Sequence, residues 1–139
     1  MAKKISKILF LFLICLTVLI GCDKKEKDSL SLNDNAAYTL IVEVSYEFKN
    51  PSSVRVLSGS LYYDEDKSQW SGWFALSATN SYGARTTGYY FVSHLDGEIF
   101  ALDLEEHGTG SDIKKCKETE DFNADQVNEK LKERWENYL

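Results

Sequence analysis

Cysteine, histidine and proline are all scarce in this chain, numbering three, two and one among 139 residues. The two histidines, His94 and His107, fall on different predicted elements, and no Cys/His/Asp spacing around them matches a zinc site. No metal and no cofactor are therefore expected. Only one cysteine, Cys116, lies beyond residue 22, which excludes a disulfide within the folded part. The single proline breaks the chain at Asn50-Pro51-Ser52. No Gly-x-Ser-x-Gly nucleophile elbow is present. Gly108-Thr109-Gly110-Ser111 is too short and isolated for a phosphate loop. Asp64-Glu65-Asp66 lacks the glycine and distal glutamate of a calcium loop and reads as a turn. Positive charge is also in deficit: 16 Lys and Arg against 22 Asp and Glu leave a net charge of −6. Such a chain repels phosphate backbones, so nucleic-acid binding is not expected. There is no internal repeat, and beyond residue 20 no apolar run approaches the ~20 residues that cross a bilayer.

What is present begins at the N-terminus. Lys3, Lys4 and Lys7 precede an uncharged stretch from Ile8 to Ile20, the layout of a secretory signal peptide. The stretch ends in Leu19-Ile20-Gly21-Cys22, after which nearly every side chain to Asp28 is charged. Those four residues resemble the lipobox of bacterial lipoproteins. The resemblance implies a diacylglyceryl thioether on Cys22, cleavage between Gly21 and Cys22, and a membrane-anchored protein facing the periplasm or the cell exterior. Two or three acyl chains anchor firmly, at ~0.8 kcal/mol per buried CH₂. Asp23 resembles an inner-membrane retention signal, whereas the stretch Asp23 to Asp28 resembles surface-export signals. Loss of three lysines with the leader takes the net charge to −9. The expected organisation is a leader over 1–21, a flexible tether over 22–35, and one domain over 36–139.

Within that domain, Tyr38, Leu40, Val42, Val44, Tyr46 and Phe48 alternate with polar residues, which predicts a strand. Further strands are expected at about 53–63, with a bulge near Ser58-Gly59, and at about 69–78, 85–95 and 98–105. Asp96-Gly97 is a two-residue hairpin signal. On the last strand Phe100, Leu102 and Leu104 are expected to face inward, with Asp103 and Glu105 outward. Residues 107–121 read as a loop, and 123–138 as a helix capped by Asn123 and anchored by Trp135. The fold class is therefore mainly β (α+β). An antiparallel five-stranded meander carries a C-terminal helix on one face, with a small closed barrel as the alternative.

Aromatic residues are in surplus. Tyr62-Tyr63, Tyr89-Tyr90 and Trp70/Trp73 put rings on both faces of a sheet that one helix covers on one side only. Tyr62, Trp73 and Tyr90 are thus the expected interaction surface, unless a barrel buries both sets. The leading reading is a non-catalytic binding module of inhibitor, immunity or assembly type, with a protein partner in the envelope. The alternatives are a small apolar-ligand carrier and a carboxylate-dependent hydrolase using residues such as Asp103 and Glu105.

Overall fold

The computed structural model describes residues 29–138. The expected leader, the cleavage site Gly21/Cys22 and tether residues 23–28 lie outside the described residues.

The fold opens on helix α1, Leu32–Ser45, where alternation predicted a strand from Tyr38 and a tether through Asn35. The Ser31 hydroxyl caps it by accepting the Asp34 N–H at 3.1 Å. Leu40, Val42 and Val44 satisfy a period of two, but Ala37, Leu40, Ile41 and Val44 also stand at helical spacing, and all four are fully buried. Ile41, the residue that broke the alternation, belongs to the helical stripe. Val42 and Ala36 are buried as well, so α1 is apolar around much of its circumference. The alternation that argued for a strand yields to burial on several sides.

A short 3₁₀ turn, Pro51–Ser53, leads into β1 (Arg55–Asp64), β2 (Gln69–Thr79), β3 (Arg85–Leu95) and β4 (Glu98–Asp103). These form one antiparallel sheet in the order β1-β2-β3-β4. The sheet therefore has four strands, not five, and it is open, not a closed barrel. The bulge on β1 falls between Val56 and Ser58, one step before its expected place. Asp96 and Gly97 form the β3–β4 turn with φ of 53° and 83°, the left-handed pair that a type I′ turn requires.

The expected loop after β4 contains two short helices, α2 (Leu104–His107) and α3 (Gly110–Cys116). A reciprocal capping box between Thr109 and Asp112 starts α3. The C-terminal helix α4, Ala124–Glu136, forms as expected on the Asn123 cap. Its anchors are the fully buried Val127 and Leu131, worth about 2 kcal/mol each. Trp135 sits half-buried at its end, edge-on to Tyr46 at 5.6 Å.

Two helices, α1 and α4, thus cover one face of the sheet. They close a core that holds Phe74, Leu76 and Val92. The other face receives α2 and α3, which bury Leu104 and Cys116 against Ala75. Leu102 packs with that second cluster, and Phe100 alternates with Ile99, which packs against the main core. The expected inward set on β4 is therefore split: Phe100 and Leu102 face the α3 side, and Leu104 has left the strand.

Candidate functional site

Helix α3 covers only part of its face. It is pinned to β1 where the Ser58 hydroxyl donates to the Cys116 carbonyl at 2.6 Å and the Ser60 hydroxyl to the Lys115 carbonyl at 2.9 Å. The sheet beyond it, toward the β1–β2 and β3–β4 turns, is left bare. There the outward residues of all four strands enclose a groove of about 450 Å³. Tyr62 of β1, 55% exposed, and Phe100 of β4, 39% exposed, form its two sides. Trp73 and Phe91, with ring centroids 4.9 Å apart, form its back.

The floor is polar. Gln69 donates through Nε2 to the Ser93 hydroxyl at 3.0 Å and to the His94 carbonyl at 2.8 Å, while the Ser71 and Ser93 hydroxyls share a bond of 2.7 Å. A hydroxyl-lined floor between aromatic walls can hold a ligand by ring stacking and directional hydrogen bonds together.

Trp73 is more enclosed than a free platform. The Lys115 ammonium lies 4.3 Å from its ring centroid. The Asp112 carboxylate has its pKa lowered first by hydrogen bonds from the Thr109 hydroxyl and N–H and further by the Trp73 indole and Lys115. A cation thus stands over one face of the ring.

Of the three expected interaction residues, Tyr62 and Trp73 meet in this groove. Tyr90 does not. It alternates with Phe91 along β3 and so points to the α1 side, where it packs edge-on against Phe48 at 5.5 Å. Phe91 and Phe100 were missing from the expected surface. The hairpin turn could have placed both: pairing Leu95 with Glu98 puts Ser93 opposite Phe100 and Phe91 opposite Leu102 on one face.

The remaining candidates have structural partners. Glu43 on α1 and His94 on β3 approach to 2.6 Å between Oε2 and Nε2, tying the helix to the sheet on the face opposite the groove. Asp103 accepts the Glu105 N–H at 2.9 Å as the cap of α2. Asp64 caps the β1–β2 turn by accepting from the Asp66 and Lys67 N–H groups. Among the described residues, no group of three or more His, Cys, Asp or Glu is placed to hold a metal. Cys116 is buried at the end of α3, not in a loop, and burial pushes its thiol up to about 11.

No family model matches the chain, and no curated protein or solved structure matches it.

Proposed function

We propose that this chain is a lipid-anchored protein of a bacterial envelope whose folded domain is a non-catalytic binding module. The observation that carries the reading is the bare half of the sheet: Tyr62, Trp73, Phe91 and Phe100 gathered around the Gln69–Ser71–Ser93 floor. Aromatic rings exposed in one cluster are the usual anchors of a recognition surface. The lipobox-like Leu19-Ile20-Gly21-Cys22 supplies the anchor, and the charged residues after it would hold the domain off the bilayer. Ser71 and Ser93 hydrogen-bond each other and Ser93 accepts from Gln69, with no basic partner among the described residues to activate either as a nucleophile, which favours binding over chemistry.

Two measurements test it. Cells expressing the full chain are fed an alkyne-tagged palmitate; the wild type takes up label and Cys22→Ser does not. Affinity capture from detergent-solubilised envelopes then compares wild type with Tyr62→Ala, a change at an exposed side chain that leaves the core intact. The same variant loses the partners that the wild type retains. Equal label on Cys22→Ser would sink the anchor, and equal capture by Tyr62→Ala would sink the groove.

A further inference from the structure

The two edges of the sheet are treated differently. At β1 four outward backbone groups are satisfied by the segment that follows α3. Val56 donates its N–H to Asn128 Oδ1 at 2.9 Å, and Asn128 Nδ2 donates back to the Val56 carbonyl at 2.8 Å. Gly59 donates to the Glu118 carbonyl at 2.6 Å, and Leu61 to Asp121 Oδ2 at 2.7 Å. This edge is closed at Val56, Gly59 and Leu61.

At β4 nothing comparable occurs. A two-residue hairpin makes its closing pair, Leu95 and Glu98, a hydrogen-bonded pair. The bonds then alternate, so Glu98, Phe100 and Leu102 face β3, while Ile99 and Ala101 turn their N–H and C=O groups outward. Among the described residues, no hydrogen bond to those outward groups occurs. Edge strands are ordinarily blunted by lysine, proline or a bulge. The strand Glu98–Asp103 has neither residue, and its pairing with β3 has no register shift.

Side-chain recognition lies on both sides of this edge. Ile99 and Ala101 border a groove of about 410 Å³ with Val44, Phe48 and Tyr90 on the α1 face. Phe100 borders the aromatic groove on the other. A strand laid along β4 would drop alternate side chains toward each. The surroundings are acidic. Between Arg85 and Lys114 the chain has no lysine or arginine but six acids: Asp96, Glu98, Asp103, Glu105, Glu106 and Asp112. A second copy of the chain would bring the same base-free stretch against itself and add like charges at close quarters.

We propose that β4 is a docking edge for an extended partner segment, apolar at alternate positions and flanked by lysine or arginine, which adds to the sheet as its fifth strand. The inference rests on the binding-module reading and assigns the chemistry of the partner. The probe is a capped nine-residue peptide of alternating valine and threonine with a lysine at each end, titrated against the full chain in detergent. Saturable binding is expected. Methylating alternate backbone nitrogens of the peptide, or ending it in glutamates, weakens binding at least about tenfold, and raising salt weakens the lysine form. Ala101→Pro removes an outward N–H where an edge strand tolerates proline, and it abolishes binding. Tyr82→Ala, 95% exposed in the β2–β3 turn and outside both grooves, leaves peptide binding unchanged, while envelope capture by Tyr62→Ala reads the groove separately.

Absence of binding at millimolar peptide overturns the proposal. So does equal affinity for the backbone-methylated form, a result that stands even if Ala101→Pro does not fold. A dimer in sedimentation that Ala101→Pro dissociates and the peptide does not displace assigns the edge to a second copy and overturns it too.

Discussion

Asn128→Ala isolates the closure of the β1 edge. The Asn128 side chain stands in for a fifth strand at one point, accepting from Val56 N–H and donating to Val56 C=O at 2.9 and 2.8 Å. Val56 is 1% exposed, so alanine leaves two backbone groups short of partners in a site that water reaches poorly. Each such group costs about 1–3 kcal/mol, and the gain in helix propensity from alanine returns roughly 0.6 kcal/mol. The net expectation is a loss of about 3 kcal/mol, a large share of a total stability of roughly 5–15. Urea unfolding followed by tryptophan fluorescence reads this as a midpoint lower by about 2 M for an m-value near 1.5 kcal/mol/M, with the slope unchanged. Asn128→Asp keeps the acceptor but turns an oxygen toward the Val56 carbonyl, so it loses at least as much. Glu129→Ala, one residue on and exposed, is the control and stays within about 0.5 kcal/mol. If Asn128→Ala unfolds at the control's midpoint, the edge is not held by this side chain and the asymmetry between β1 and β4 loses its basis.

Three other outcomes are expected. Gly59→Ala drives a Cβ into the Trp73 carbonyl oxygen and to 2.7 Å from the Phe74 ring, so thermal unfolding shifts down by about 2 kcal/mol, or roughly 10 °C; an unshifted melt contradicts the packing. Gly97→Ala at φ 83° costs about 1–2 kcal/mol, and Gly97→Asn costs less because asparagine tolerates the left-handed region; equal losses in chemical denaturation would refute a conformational cause. The Cys116 thiol, raised from 9.0 to about 11, is neutral in both folded and unfolded states below pH 9. As pH rises toward 11 the unfolded thiol ionises ahead of the buried one, so stability falls by about 2 kcal/mol across that window. Cys116→Ala flattens this part of the pH profile, and a profile identical to wild type would show that the thiol does not contribute.

Much of the meander was legible because local chemistry specifies it. The turn at Asp96-Gly97 needs positive φ at two positions, and the breaks at Asp64–Ser68 and Asn80–Gly83 separate apolar runs of strand length. The first element was not legible from alternation because Leu40, Val42 and Val44 satisfy both periods at once. Ser31 with Asp34 three residues on was the local sign of a helix start, and Thr109 with Asp112 was the same sign for α3. In the groove, Tyr62 and Trp73 were legible from an excess of rings. Tyr90 was misplaced because its neighbour Phe91 competes for the same face, and only the strand register decides between them.

The chain alone thus determined three β-strand hairpin segments, the capped C-terminal helix and the acidic balance, since each follows from turn residues, capping residues and charge within a few positions. Tertiary structure decided what alternation cannot: that residues 32–45 coil into a helix, that the sheet stays open with four strands, and that one edge is bonded at Val56, Gly59 and Leu61 while the other has no such partner among the described residues. Those outcomes depend on which surfaces meet across distances of tens of residues, as Val56 and Asn128 do, and burial there outweighs any local preference.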